Sequence, residues 1–291
     1  YKRESVRMME ESNAILLLSC PDGKGLVARL SNFIFQNNGN IVDADQYTSK
    51  QGKIFFMRIE WELDGFALSR EEIPIVFAPL ARQYDMKWTL HFTDYVPRTA
   101  IFVSRHLHCL HDLILRRHMG ELDASVEAVI SNHPDARDLV EQFGIKFFHF
   151  PVTPNNKQEQ ENRQAALLRE MKIDLVVLAR YMQILSGEFI ASYANRIINI
   201  HHSFLPAFSG GNPYQQAFDR GVKIIGATAH YATEQLDDGP IIAQDVVKIS
   251  HRDNITDIQT KSKDLERIVL ARALRLHLDN KIIVFGAKTV V

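Results

Sequence analysis

The sequence of 291 residues contains only two cysteines, Cys20 and Cys109, which stand far apart. A disulfide framework is therefore not expected, and a reducing compartment is indicated. The charges nearly cancel, with 34 Lys and Arg against 35 Asp and Glu, so no polyanionic partner such as a nucleic acid is expected. No apolar run reaches the roughly 18 residues that a membrane helix needs, and the charged first residues do not resemble a secretory signal. These absences predict a soluble, cytoplasmic protein that binds neither nucleic acid nor membrane.

The first third of the sequence predicts strands and helices in the order β-α-β-β-α-β. From Leu26 the apolar residues recur at the spacing of one helix face, and Gly39 is expected to end that helix in the left-handed conformation. Two strand-like runs on either side of Gln51 and Gly52 predict a β-hairpin. This order is that of a ferredoxin-like domain. The predicted strands are residues 13–19, 41–50, 53–63 and 86–92, and the second helix is residues 69–84.

The turn after the first strand, in the segment CPDGKGLVARL, makes this region resemble an ACT domain, a small module that senses ligands. The resemblance implies that Asp22, Gly23 and Gly25 lie beside an effector, commonly an amino acid. It also implies pairing of such domains, and hence a homo-oligomer. Physically, glycines let the backbone approach a ligand, and a helix N-terminus attracts a carboxylate. The alternative is a tight turn in which Asp22 caps the helix.

From Thr99 onward, strands alternate with helices, which predicts a doubly wound, mainly parallel sheet. Pro97 interrupts the preceding strand, so the predicted domains are residues 1–94, ferredoxin-like and regulatory, and residues 98–291, catalytic. The predicted strands of the second domain are residues 99–104, 125–131, 145–150, 173–179, 196–200, 222–231 and 240–249, with helices near 109–119, 135–143, 157–171 and 213–220 and a long final helix.

Polar residues follow one of these buried strands, at Asn199 and His201. Open parallel sheets bind ligands at the carboxyl ends of strands, near the point where strand order reverses. In extended chain, Asn199 and His201 face the same side while His202 faces the other. A carboxamide beside an imidazole offers two donors to an oxygen that becomes negative during attack on a carbonyl. Asp237 or Asp238, in the turn after the next strand, could orient the imidazole or accept a proton, although acidic residues before Gly-Pro are also common in turns.

The segment from Asn199 to Asp245, with its Asn-x-His, Ser-x-Leu-Pro and Asp-x-Gly patterns, resembles the core of the folate-dependent formyltransferase family. The resemblance covers residues 99–286. It implies that Asn199, His201 and Asp237 act on the formyl group of 10-formyltetrahydrofolate, a substrate, with no prosthetic group and no metal. The segment LARYMQILS also matches the family. The implied folate-binding residues are Met182, Ile184, Leu185, Thr233, Glu234, Gln235 and Leu236. His202 either shapes the site of an attacking water molecule or packs against the neighbouring strand.

The loop after the first strand of the second domain lacks glycine, and this bears on which molecule accepts the formyl group. In family members that act on nucleotides, a Gly-rich loop after the first catalytic-domain strand holds the acceptor phosphate, but no glycine occurs here from Thr99 to Met119. Without glycine the backbone cannot easily wrap its amides around a phosphate, although the Arg105 side chain could bind one. The ACT-like first domain and the doubled histidine make the chain resemble the hydrolases of this family, and that resemblance implies water as acceptor and hydrolysis to formate and tetrahydrofolate. The alternatives are an amine acceptor and a catalytically silent amino-acid sensor.

A second histidine-rich motif suggests a metal site. His106, His108, Cys109 and His111 lie within six residues. Zinc takes Cys and His ligands, but its usual sites space them as separated pairs. The structural interpretation is therefore preferred.

Overall fold

The structure, a computed structural model, describes residues 12–206 and 213–290, and these residues form two compact units. The first unit comprises residues 12–95 together with residues 279–283 and 290. The second comprises residues 96–278, apart from the gap, together with residues 284–289. Residues 279–283 thus belong to the first unit, although their position in the sequence places them in the second predicted domain. The glycines of the predicted loop after Pro206 lie outside the described residues.

The first unit has the predicted β-α-β-β-α-β order. Its four strands lie in the order β2-β3-β1-β4, with every neighbouring pair antiparallel, which is the ferredoxin-like arrangement. The central strand β1 is buried along most of its length. Its alternate residues Ala14, Leu16, Leu18 and Cys20 share a core with buried side chains of α1 and α2. The elements are β1 (Asn13–Pro21), α1 (Leu26–Gln36), β2 (Ile41–Ser49), β3 (Ile54–Glu62), α2 (Glu72–Gln83) and β4 (Lys87–Phe92).

The end of α1 differs from the prediction. Asn38, not Gly39, adopts the left-handed conformation, with φ of 60°, which asparagine tolerates better than most residues. Gly39 is needed for a different reason: a Cβ there would lie 2.6 Å from Ile34 Cγ2 and 2.8 Å from the Phe66 ring. The glycine therefore permits close packing at the end of the helix.

The second unit is built on a seven-stranded sheet in the order β11-β10-β9-β8-β5-β6-β7. The five strands β9, β8, β5, β6 and β7 are parallel to one another, and β10 runs antiparallel to both of its neighbours, β9 and β11. The predicted mainly parallel sheet is therefore confirmed. The short helix α6 and the two-stranded sheet of β12 and β13 were not predicted. The elements are β5 (Arg98–Val103), α3 (His108–His118), β6 (Ser125–Ser131), α4 (Arg137–Gln142), β7 (Lys146–His149), α5 (Lys157–Glu170), β8 (Leu175–Leu178), α6 (Gly187–Ser192), β9 (Ile197–His201), α7 (Pro213–Asp219), β10 (Ile224–Tyr231), β11 (Ile241–Lys248), α8 (Ile255–Leu278), β12 (Ile283–Phe285) and β13 (Lys288–Val290).

The strand order of this sheet positions the candidate site. After β5 the chain adds β6 and β7 on one side, then returns to add β8 on the other, so the order reverses between β5 and β8. β9 is the next strand out, and its carboxyl end carries Asn199 and His201. The two residues therefore lie at the expected edge of the sheet, one strand beyond the reversal. None of the helices in the described ranges is both long and apolar enough to cross a lipid bilayer.

Candidate active site

Asn199 is held in place by a histidine of the neighbouring strand. The antiparallel pairing of β9 and β10 sets His230 opposite Asn199, and Asn199 Nδ2 lies 3.2 Å from His230 Nε2. His230 Nδ1 lies 2.9 Å from the Tyr231 carbonyl oxygen, which can only accept, so Nδ1 carries a hydrogen. Burial lowers the pKa of His230, so the ring is neutral and Nε2 accepts from Asn199. One Nδ2 hydrogen of Asn199 is left for another acceptor.

His201 and Asp237 form the second part of the cluster. His201 Nδ1 lies 3.2 Å from Asp237 Oδ1, and His230 Nε2 lies 3.9 Å from the same oxygen. The hydrogen bond from His201 lowers the pKa of Asp237, although burial opposes it, so Asp237 is a carboxylate at neutral pH. The other ring nitrogen of His201 lies 2.7 Å from Ser203 Oγ. Both nitrogens of the His201 imidazole therefore have partners.

A glycine brings Asp237 back to this edge of the sheet. Asp237 itself has a left-handed backbone with φ of 57°. Two residues later, a Cβ on Gly239 would lie 1.7 Å from the Tyr231 carbonyl oxygen. Only glycine lets the chain pass so close to β10, and this close passage holds the preceding Asp237 against the histidines. Asn199, His201 and Asp237 are thus brought together as predicted.

A cleft of about 500 Å³, partly open to solvent, begins at Asn199 and Asp237. Of the predicted folate-binding residues, Ile184, Leu185, Thr233, Glu234 and Leu236 line it, while Met182, Gln235 and His202 do not. Met182, Ile184 and Leu236 are large apolar side chains that are each more than half exposed, an arrangement typical of a binding surface. The cleft residues that the sequence did not predict are Leu178, Tyr181, Gln183, Ile190, His230 and Ala232.

Polar residues of α5 hold the wall of the cleft in place. The carboxylate of Glu161 accepts from the Ser186 backbone N–H, with distances of 3.0 and 3.2 Å to its two oxygens. Gln164 Nε2 donates to the Tyr181 hydroxyl at 3.2 Å. Glu161 and Gln164 are buried. The sequence did not predict this role, because a polar helix face has the same residue pattern whether it is buried or exposed to solvent.

His202 does not face away from His201 as the strand alternation predicts. β9 ends at His201, so the alternation stops there, and the two imidazole rings lie 5.1 Å apart. On its other side the His202 ring lies 5.5 Å from the ring of Tyr214. Burial, assisted by the charge of Arg180, lowers the pKa of His202 to about 4. His202 is therefore neutral at physiological pH.

Beyond Tyr214 lies a buried carboxylate, Glu266. The Tyr214 hydroxyl donates to Glu266 Oε1 at 3.1 Å, while His108 Nε2 and Arg180 Nε lie 2.9 and 3.5 Å from Oε2. Burial alone would raise the pKa of Glu266, but the hydrogen bond from His108 and the charge of Arg180 outweigh it and lower the pKa to about 2. Glu266 is therefore ionised and fully paired inside the unit.

The histidine-rich motif contributes to this network. The ligand atoms of His108, Cys109 and Glu266 lie within 4.8 Å of one another, whereas His106 and His111 are not part of that group. Burial, together with the charge of Glu266, raises the pKa of the Cys109 thiol well above its usual value. The Glu266 carboxylate of the same group is already paired with His108 and Arg180. Within the motif, His108 therefore belongs to the hydrogen-bonded network of Glu266.

The predicted effector residues lie together in the first unit. Asp22, Gly23 and Gly25 are exposed in the turn between β1 and α1. Gly25 has φ of 85° and is itself the N-cap of α1, without a side-chain capping bond. The alternative in which Asp22 caps the helix is therefore wrong. The Asp22 backbone N–H instead donates to the Lys53 carbonyl oxygen at 2.8 Å.

Comparison with known proteins now identifies both units. The family model described as formyl transferase matches residues 97–274, and the ACT domain model matches residues 14–62. The formyltetrahydrofolate deformylase of Synechocystis sp. is 54% identical over 97% of this chain and 99% of its own length. That of Bacillus subtilis is 46% identical over 97% of this chain and 94% of its own length.

Solved structures agree with these sequence matches. The crystal structure of a formyltetrahydrofolate deformylase from Pseudomonas syringae pv. tomato superposes with a TM-score of 0.95 at 43% identity, covering 99% of this chain and 97% of that one. Glycinamide ribonucleotide transformylase 1 from Symbiobacterium toebii superposes with a TM-score of 0.64 at 29% identity, covering 70% of this chain and 97% of its own. The chain therefore belongs to the formyltetrahydrofolate deformylase family, as a protein in which an ACT domain precedes a formyl transferase domain.

Proposed function

We propose that this chain hydrolyses 10-formyltetrahydrofolate to formate and tetrahydrofolate. The observation that carries the proposal is the Asn199–His201–Asp237 cluster at the end of an apolar-rimmed cleft. Water attacks the formyl carbon, the bond from that carbon to N10 breaks, and N10 takes up a proton. The sequence identity to formyltetrahydrofolate deformylases over nearly the whole chain supports the same reaction.

Asn199 and His201 are proposed to stabilise the oxyanion that forms when water attacks. Asn199 has one Nδ2 hydrogen to donate because the other is held by His230. In this role His201 carries a proton on each ring nitrogen: Nδ1 donates to Asp237, and Nε2 exchanges its contact with Ser203 Oγ for the substrate oxygen. The Asn199 donor is fixed before the reaction, and such a donor stabilises the developing charge without a cost of reorganisation.

Asp237 is proposed to position the attacking water and to accept its proton. Its carboxylate is ionised at neutral pH because the hydrogen bond from His201 lowers its pKa. It also accepts from His201 Nδ1 and so orients the imidazole. The same carboxyl group, directly or through His201, then passes the proton to N10.

The folate is proposed to lie in the cleft with its apolar parts against Ile184, Leu185 and Leu236. Met182 extends the apolar surface at the rim. The loop of residues 233–236 supplies main-chain groups to the pterin. Fixed polar groups on an apolar wall are the usual composition of a small-molecule site.

The direct test is formate release from 10-formyltetrahydrofolate without any added acceptor. We expect steady release by the wild-type chain and a loss of about 10²–10³ in turnover for Asn199→Ala, the usual effect of removing one oxyanion donor. Asn162→Ala, an exposed position on α5, is the matched control and should retain activity. No formate from the folded wild-type chain would contradict the proposal.

The ACT domain is proposed to bind an amino acid at the turn of Asp22, Gly23 and Gly25. The exposure of this turn and the uncapped start of α1 support this, since free backbone N–H groups at a helix N-terminus attract a carboxylate. Calorimetric titration of the full chain with single amino acids should give one saturable ligand, weakened by Asp22→Ala. No heat from any amino acid would contradict it.

The chain is further proposed to form a homo-oligomer through its ACT domains. Strand β2 is an edge strand whose residues from Ile41 to Tyr47 are all exposed, among them Val42 and Tyr47. An exposed edge with apolar side chains favours pairing with another chain. Analytical ultracentrifugation should give a mass above that of one chain, reduced by Tyr47→Lys. A monomeric wild-type chain at micromolar concentration would contradict it.

A further inference from the structure

The buried network around Glu266 adjoins the catalytic cluster, yet the proposed mechanism does not use it. The Glu266 side chain is fully buried. Tyr214 and Ser262 donate to its Oε1 at 3.1 and 3.0 Å, and His108 and Arg180 approach its Oε2. The Tyr214 ring in turn contacts the ring of His202, and neither residue lines the cleft, so the network holds groups beside the cluster that lie outside the cleft.

Arg180 is held in an unusual conformation within this network. Its backbone has φ of 64°, a left-handed conformation that is strained for a residue with a side chain. Its side chain is 8% exposed, and its Nε has no hydrogen-bond partner among the described residues, only the ion pair with Glu266. Strain of this kind persists where the surroundings enforce it, and it is concentrated at functional sites. Glycine would adopt the same backbone without cost.

The geometry of the reaction gives this side of the cluster a role. With the folate in the cleft, the formyl carbon lies at Asn199, His201 and Asp237. The nucleophile must then approach from the side that the folate leaves open. The rings of His202 and Tyr214 lie beside His201 but do not line the cleft, so we take them as the groups that limit the space for the nucleophile.

We propose that the Arg180–Glu266 pair, by holding Tyr214 against His202, closes the nucleophile side of the site and so restricts the nucleophile to small molecules such as water. Arg180 and Glu266 are thus specificity-determining residues that do not touch the reacting atoms. This inference rests on the proposed hydrolysis. If the side were opened, an amine nitrogen would attack the formyl carbon, the bond to N10 would break, and a proton would pass from the amine to N10.

The first test uses the wild-type chain and two nucleophiles of similar reactivity but different size. Methoxyamine and O-benzylhydroxylamine are each added to the formate assay, and the formylated products are quantified by mass spectrometry. We expect methoxyamine to be formylated on the order of tenfold or more faster, the discrimination that a pocket achieves against an added group. Formylation of both nucleophiles at equal rates would overturn the proposal, whereas formylation of neither would support a closure that excludes both. Absence of formate without any amine would instead overturn the proposed hydrolysis.

The second test removes side chains of the network by substitution. Arg180→Gly removes the guanidinium and relieves the backbone, and Tyr214→Ala removes the ring that it positions. In each variant the share of formylated O-benzylhydroxylamine should rise about tenfold relative to formate. The matched control is Lys172→Gly, at an exposed left-handed position with φ of 50° just before β8, whereas Arg180 lies just after that strand.

A purely structural role for the network would lower the stability of the variants and leave the product ratio unchanged. Circular dichroism establishes which variants are folded. An unchanged ratio in folded Arg180→Gly and Tyr214→Ala would overturn the proposal, whereas the control should keep the wild-type ratio. If neither variant folds, the comparison of methoxyamine with O-benzylhydroxylamine in the wild-type chain still tests the proposal.

Discussion

The two units each have a turn at a strand end with a left-handed residue, but they hold these turns differently. In the first unit, the turn of residues 21–25 is exposed, and Gly25 adopts φ of 85° without strain. In the second unit, Arg180 adopts φ of 64° after β8; its carbonyl oxygen accepts from the Ser104 backbone N–H, and the Met182 backbone N–H donates to Ser104 Oγ. The open turn suits a ligand that binds and leaves. The turn at Arg180, which is strained and held by several hydrogen bonds, suits a reaction that requires fixed geometry.

The largest expected effect follows from Asp237→Asn, which tests whether catalysis depends on the fixed region. Asparagine tolerates the left-handed backbone of Asp237, but it cannot accept a proton from water. We expect formate release to fall by about 10²–10⁴, the range for loss of a general acid or base. Asp238→Asn, one residue on and exposed, is the control. Comparable activity in the two variants would contradict the assignment of Asp237.

Sequence reasoning found those parts of the site that follow from local periodicity. Asn199 and His201 share a side because they lie within one strand, and the sheet places that strand at a ligand-binding edge. His202 was misjudged because the strand ends one residue earlier. Gly39 was assigned a left-handed backbone when its actual role, avoiding Ile34 and Phe66, depends on tertiary contacts.

The residues that were missed are polar groups whose partners are distant in sequence. His230 is a single histidine at the end of an apolar strand, and its role appears only when β10 pairs with β9. Glu266 lies on α8, where a buried carboxylate and a solvated one have the same sequence pattern. Glu161 on α5 is a similar case. Burial of a charge is a property of the assembled fold, so no local pattern predicts it.

An intermediate effect is expected on the pH dependence of stability in the fixed region. Burial lowers the pKa of His202 from 6.5 to about 4. Between these values the unfolded chain binds the proton and the folded chain does not, so the free energy of unfolding rises with pH across this window. The rise attributable to His202 is about 3 kcal/mol. It is complete above pH 6.5 and absent below pH 4.

Urea denaturation at pH 4.5 and pH 7 measures this contribution. The difference in unfolding free energy between the two pH values should shrink in His202→Asn, because asparagine does not titrate. His251→Asn, at an exposed histidine, should keep the wild-type difference. An unchanged difference in His202→Asn would show that His202 is not buried in its neutral form.

The smallest expected effect concerns the first unit and asks whether its packing matters to the chemistry of the second. In Gly39→Ala, the new Cβ would meet Ile34 and Phe66 at distances below 3 Å, which should destabilise this unit by about 1–3 kcal/mol, as overpacking does. Both tryptophans of the chain, Trp61 and Trp88, lie in this unit, so their fluorescence during urea denaturation reports its unfolding.

Formate release by Gly39→Ala should match the wild-type rate under conditions where the tryptophan signal shows the first unit folded. Gly52→Ala is the matched control, since a Cβ at Gly52 makes its nearest contact at 3.4 Å, with the Ser49 hydroxyl, and its stability should change by only a few tenths of a kcal/mol. A large loss of activity in folded Gly39→Ala would break the comparison. The packing of the ACT domain would then contribute to catalysis, and the contrast between an open sensing region and a fixed catalytic region would be too simple.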